Sequence, residues 1–129
     1  MSRQAISAPD ATAVGPYSHG IRARGDVVFL SGQTPLDSAT GKLVVGDIKD
    51  QVRQCLGNLG AVLAAANLTF DDVVKCNVFL VDMADFPALN EVYASHFREP
   101  FPARTTIGVA SLPLGARVEI EMVAIAHGV

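Results

Sequence analysis

Between residues 47 and 66 the apolar positions Ile48, Val52, Cys55, Leu56, Leu59, Val62, Leu63 and Ala66 recur at three- and four-residue spacing. That period predicts an amphipathic helix. Asp47 suits its N-cap, and Asn67 followed by Leu68 suits a left-handed termination. A second helix is predicted from Phe86 to Arg98, with Phe86, Leu89, Val92, Tyr93 and Phe97 as its apolar stripe. Asp85 is placed to cap it, and Pro87 falls in the first turn, where the missing N–H is tolerated.

The remaining pattern is that of strands. Ser18 to Ala23 and Val27 to Ser31 flank ARGD, which reads as a hairpin turn with Gly25 supplying a positive φ. SGQTP then leads into a polar loop, DSATGK, with Gly41 as a turn residue. VVKCNVFLV (73–81) is apolar enough to be a central strand covered on both faces. A strand at 104–110 and a last one, RVEIEMVAIA, enclose the turn SLPLGA. The order ββ-α-β-α-β-β predicts one domain over residues 1–129, an α+β mixed sheet with two helices packed on one face. The other face needs a cover, and an identical subunit is the natural candidate.

Composition strengthens that expectation. The chain is 50% hydrophobic and 18% charged, against roughly 25% charged in ordinary soluble domains. A small domain with so little charge is expected to meet another copy of itself. The net charge of −3, with no Lys/Arg cluster, leaves no basic footprint for nucleic acid. MSRQAISAPDATAV lacks the apolar core of a signal peptide, and no run reaches the roughly 18 apolar residues of a membrane span. The expectation is a cytoplasmic protein that binds neither nucleic acid nor membrane. Cys55 and Cys76 fall on core positions and read as reduced, buried thiols. His19, His96 and His127 are scattered without zinc-type spacing, so no metal site is expected.

The candidate chemistry lies in four stretches. In FPARTTIGV, Arg104 shares a strand side with Thr106, Gly108 and Ala110, small residues that leave room for a ligand beside a guanidinium. Arginine binds carboxylates bidentately and stays charged, so Arg104 either clamps a carboxylate ligand or pairs with a carboxylate such as Glu119. In the last strand Glu119 and Glu121 lie roughly 7 Å apart on one face. One of them is a candidate general base; the alternative is that both are solvated, or paired with Arg104 or Arg117. In GPYSHG, Pro16 and two glycines present Tyr17, whose phenol offers a flat wall and a hydrogen bond, or simply packs. In SGQTP, Ser31 and Gly32 could bring backbone amides close to a ligand or merely end a strand.

GPYSHG, VFLSGQTP, GDIKDQVRQCLGNLGAVLAAANL, VVKCNVFLVDMADFPALNEVYASHF, FPART and VEIEMVAIA together resemble the RidA (YjgF) family, over residues 5–126 and in order. The resemblance implies a chorismate-mutase-like fold assembled as a homotrimer, with sites between subunits. It also implies hydrolysis, without a cofactor, of 2-iminobutanoate- and 2-iminopropanoate-type intermediates to 2-oxo acids and ammonia. These imino and enamino acids are released by pyridoxal-phosphate enzymes. By the resemblance Arg104 clamps the substrate carboxylate and Glu119 orients or activates water. Tyr17, Ser31, Gly32 and Asn90 line the site. Thr106 stands where many members carry cysteine, which excludes a covalent thiol route and leaves Thr106 a positioning group.

Three alternatives follow from the same reading. The substrate is another enamine acid, such as aminoacrylate or 2-aminomuconate; or the protein is a non-catalytic ligand-binding or stress-chaperone relative; or it is an endoribonuclease. The acidic balance speaks against the last.

Overall fold

A computed structural model describes residues 3–11 and 13–127 of the chain; the first two residues of the N-terminal stretch lie outside them. Among the described residues, eight strands and two α-helices run in the order β1 (Gln4–Ile6), β2 (Gly20–Arg22), β3 (Asp26–Gln33), β4 (Leu36–Asp37), β5 (Lys42–Leu43), α1 (Ile48–Ala65), β6 (Val73–Leu80), α2 (Phe86–His96), β7 (Ala103–Gly108) and β8 (Val118–Ala126). The main sheet has the order β3-β8-β6-β7, with β6 and β7 parallel and the other pairs antiparallel. It is the mixed sheet expected from the pattern.

The caps explain where α1 begins and ends. Asp47 accepts from the Asp50 N–H at 2.9 Å, while Asp50 accepts from the Asp47 N–H at 3.2 Å, a reciprocal capping box. Asn67 then takes φ 60° and turns the chain. Of the predicted stripe, Ile48, Val52, Cys55, Leu56, Leu59 and Leu63 are buried, whereas Val62 and Ala66 are exposed near the helix end. α2 stops at His96, two residues before the expected Arg98. Asp85 does not cap it with its side chain; that carboxylate instead accepts from Arg117 at 3.0 and 3.1 Å.

Both helices pack on one face of the sheet. Val73, Cys76, Val78 and Leu80 of β6 and Val118, Ile120, Met122 and Ala124 of β8 join Leu56, Leu59, Leu63, Leu89 and Tyr93 in one core. A register shift between Val73 and Lys75 lets Val73 and Cys76 both face inward despite their odd spacing. The opposite face exposes Val27 and Phe29 of β3 and Ile107 of β7, with Phe29 78% exposed, while Phe79 of β6 and Val123 of β8 are partly covered and Ile125 is buried beside the Gly25 turn. Thus β6 is central, but this chain covers only one of its faces. Lys75 and Asn77 continue the outer face as polar cross-strand pairs, donating to Thr105 and to Glu121 respectively.

One expected hairpin does not form. Gly25 does take φ +136°, and a Cβ there would lie 2.3 Å from the Ala126 carbonyl oxygen. The turn, however, separates two sheets. β2 pairs with β1, Ile6 opposite Gly20, whereas β3 pairs with β8. The three-residue exposed strand Gln4–Ile6 gives no alternation long enough to read.

Candidate functional site

Arg104 enters the site from β7. Its Cα pairs with Cys76 on β6, which pairs in turn with Met122 on β8, so the Arg104 side chain shares the inner, helix-covered face with those two. There it is 9% exposed. Its Cζ lies 4.9 Å from the ring centre of Tyr93, 5.3 Å from Tyr17 and 5.6 Å from Phe86. Burial lowers its pKa from the ordinary value, with Tyr93, Cys76 and Tyr17 acting against that shift. The Nη1 atom is buried with no hydrogen-bond partner among the described residues. No carboxylate pairs with it there either, so the alternative of an Arg104–Glu119 ion pair is overturned.

Tyr17 reaches this place because the segment before β2 is stitched to the chain just ahead of Arg104. The Ser18 N–H donates to the Pro102 carbonyl, its hydroxyl donates to the Phe101 carbonyl, and Ser18 forms a parallel bridge with Ala103. The Tyr17 N–H closes a tight turn onto the Gly15 carbonyl, and its hydroxyl accepts from the Val14 N–H. Gly15 lies directly against the guanidinium: a Cβ there would be 3.0 Å from Arg104 Nη2 and 3.4 Å from Asn90 Nδ2. A side chain here would press on the guanidinium and require it to shift by a few tenths of an ångström.

Val14, Tyr17, Phe86, Arg104 and Thr106 line a recess of about 140 Å³. The Thr106 hydroxyl and Asn90 Oδ1 are buried without partners among the described residues, as Arg104 Nη1 is. A donor and a hydroxyl are thus left unsatisfied at the recess, and an acceptor lies beside them, against Gly15. Buried polar groups are ordinarily paired, so these three are an unusual concentration.

Glu119 is elsewhere. It pairs in register with Phe79, one step out of phase with Arg104, and therefore projects from the opposite face of the sheet. Its neighbour is Gly32, where an added Cβ would sit 2.1 Å from Glu119 Oε2. The register of β3 against β8 shifts between Leu30 and Gln33, so Ser31 and Gly32 form a bulge beside Glu119. SGQTP does end the strand, since β3 stops at Gln33, but the bulge within it matters as well: Gly32 makes room for a carboxylate. Glu121 accepts from Asn77 at 2.9 Å, and Arg117 pairs with Asp85, so neither glutamate takes the arginine partners considered above.

The sequence-predicted residues thus fall into two groups on one chain. Tyr17, Asn90, Arg104 and Thr106 gather at the recess; Ser31, Gly32 and Glu119 gather at the bulge on the other face. Phe86 and Tyr93 belong to the first group and read from sequence only as core. Their seven-residue spacing on α2, facing the strand that carries Arg104, is the signal that could have placed them there.

Cys55 and Cys76 are buried and unbonded, and burial pushes both thiols up to about 12. They are core residues. Among the described residues no group of His, Cys, Asp or Glu is arranged to hold a metal ion, and no helix is long and apolar enough to cross a membrane.

The fold and recess define a small α+β protein with an arginine-centred site suited to an anion. More particularly, the family model described as Endoribonuclease L-PSP matches residues 5–126, and the chain belongs to that family, also known as RidA/YjgF. It is 46% identical to protein DfrA of Myxococcus xanthus, over 97% of each chain. It is 44% identical to the 2-iminobutanoate/2-iminopropanoate deaminase of Mus musculus, over 95% of this chain and 91% of that one. Among solved structures, E. coli TdcF with bound serine superposes with a TM-score of 0.75 at 38% identity, covering 96% of this chain and 99% of TdcF.

Proposed function

We propose that this protein hydrolyses small 2-imino acids, of the 2-iminobutanoate and 2-iminopropanoate type, to 2-oxo acids and ammonia. The observation that carries the reading is the buried Arg104 guanidinium, unpaired among the described residues and opening on a recess of about 140 Å³. A site of that size suits an acid of a few carbons, and a free guanidinium suits its carboxylate. Relatives named as deaminases of these imines, at 43–44% identity, support the substrate class.

Arg104 and Glu119 lie on opposite faces of one sheet, so the complete site forms between copies. One chain supplies the Arg104 recess with Tyr17, Asn90 and Thr106, and a neighbour supplies Glu119 with Ser31 and Gly32. The uncovered apolar face bearing Val27, Phe29 and Ile107 gives the copies a surface to share, and a closed trimer satisfies it.

Within that site Arg104 fixes the carboxylate and thereby the adjacent C=N carbon. Glu119 takes a proton from water as the water oxygen bonds to that carbon. The C=N electron pair moves to nitrogen, which takes up a proton, giving a carbinolamine. The amino nitrogen then takes a second proton, which protonated Glu119 can return, the hydroxyl loses its own as C=O forms, and the C–N bond breaks so that ammonia leaves with that electron pair. Thr106 and Asn90 offer polar contacts to hold the ligand, and no nucleophile on the protein is needed.

The test is Glu119→Gln. Turnover of enzymatically generated 2-iminobutanoate should fall by about two to four orders of magnitude, with binding of 2-oxobutanoate retained. Loss of both together would make Glu119 structural. Cleavage of RNA, the activity in the family's description, is disfavoured by the net charge of −3.

A further inference from the structure

We infer that Phe86 and Tyr93 are positioning residues that hold the Arg104 guanidinium by their ring faces and so set how tightly the site grips a carboxylate. The inference rests on the reading of Arg104 as the carboxylate clamp, and the test below separates the two.

A buried guanidinium needs something to hold it. The usual holders are carboxylates or backbone carbonyls, which take its N–H groups in the plane of the fork. Around Arg104 there are three rings instead: Tyr93 at 4.9 Å, Tyr17 at 5.3 Å and Phe86 at 5.6 Å from Cζ. Aromatic faces attract a cation through their quadrupole without accepting its N–H bonds edge-on. The rings can therefore restrict the orientation of the guanidinium while its donors stay available, and Nη1 is indeed unpaired among the described residues. A carboxylate in the same place would fix the group equally well, but would neutralise it and occupy the fork that a ligand needs.

Two of the three rings come from one helix. Phe86 and Tyr93 are seven residues apart on α2, two turns along the same face, and Tyr93 is fully buried against the core. α2 is thus both a core element and the wall that aims Arg104. Phe86 lines the recess, whereas Tyr93 faces the guanidinium from the core without lining it.

The experiment uses the intact protein in its native assembly. Calorimetric titration with pyruvate and with 2-oxobutanoate gives Kd, and imine turnover gives KM and kcat. For Phe86→Leu and Tyr93→Leu, Kd and KM should rise about fivefold for both acids, with kcat little changed. Tyr93→Phe, which keeps the ring, should restore what Tyr93→Leu loses. Phe86→Glu, which offers Arg104 a competing carboxylate, should weaken both acids by more than about fiftyfold.

Arg104→Ala binding both acids as wild type would sink the reading of Arg104 itself. If Arg104→Ala loses binding but Phe86→Leu and Phe86→Glu bind as wild type, the inference about the rings alone is overturned. A loss in Phe86→Leu confined to 2-oxobutanoate would also overturn it, marking Phe86 as a contact to the substrate side chain. So would a fall in kcat matching the rise in KM. Because Phe86 is only half-buried, its variants keep the inference testable if Tyr93→Leu fails to fold.

Discussion

Arg3 and Arg104 are both buried arginines, 4% and 9% exposed, and they are held in opposite ways. The Arg3 guanidinium is held by backbone through all three nitrogens, four of its five N–H groups being paired: Nε donates to the Pro100 carbonyl at 2.7 Å, Nη1 to Phe70 and Val73 at 2.7 and 2.9 Å, and Nη2 to Arg98 at 2.9 Å. It ties the N-terminal segment to the chain on either side of α2, and its fork is taken up mainly by these carbonyls. Around Arg104 there are ring faces and unpaired donors. The residue type and burial are the same; satisfaction of the fork distinguishes a structural arginine from one free to bind.

The largest expected effect that would break this contrast is on Arg104. In Arg104→Ala, kcat/KM for imine hydrolysis should fall by two to three orders of magnitude, about 3–4 kcal/mol for two charge-assisted hydrogen bonds to substrate. Urea unfolding should move by no more than about 1 kcal/mol, because no protein hydrogen bond seen among the described residues is lost. Arg3→Met should do the reverse. It strands four carbonyls, so stability in urea should drop by about 2–4 kcal/mol, while the folded fraction keeps kcat/KM within about twofold. If Arg3→Met lost activity and Arg104→Ala lost stability, the distinction would collapse.

A smaller effect probes the core between the two arginines. Cys76 feels both guanidinium groups, which lower its pKa, yet burial outweighs them and pushes the thiol to about 12; Cys55 is raised equally. Both folded-state values lie above the usual 9.0, so in alkali the unfolded chain loses these protons first. This contribution to stability is intact below about pH 9 and is lost as pH rises toward about 12. Native protein at pH 9 should resist iodoacetamide at both cysteines, as peptide mass mapping would show. Rapid alkylation of Cys76 without unfolding would mean that the interior beside Arg104 is open.

Much of this molecule was legible in the sequence because its signals are local. The α1 stripe, the Asp47 cap and the Asn67 turn are read within a few residues of each other. The inward face of β8 follows from simple alternation. What escaped depends on partners distant in sequence. Nothing near Arg3 announces that its four acceptors lie 67 to 97 residues away. Nothing near Asp85 says that Arg117 takes its carboxylate from the helix end.

The site shows the same limit. Alternation placed Arg104 with Thr106 on one side of β7, and Glu119 with Glu121 on one side of β8, but not the two sides relative to each other. Only the register through β6 does that, with Cys76 joining Arg104 to Met122 and Phe79 standing beside Glu119. It puts the two predicted catalytic groups on opposite faces of a single chain. Hence the need for a second copy to complete the proposed site.

The central claim is that the open guanidinium of Arg104 recognises a carboxylate. The most direct measurement is calorimetric binding of 2-oxobutanoate and of its neutral amide to the wild-type protein and to Arg104→Ala. The wild type should bind the acid at least about tenfold more tightly than the amide, and Arg104→Ala should lose this preference. Equal affinity of the wild type for acid and amide, or an acid preference surviving in Arg104→Ala, would contradict that claim.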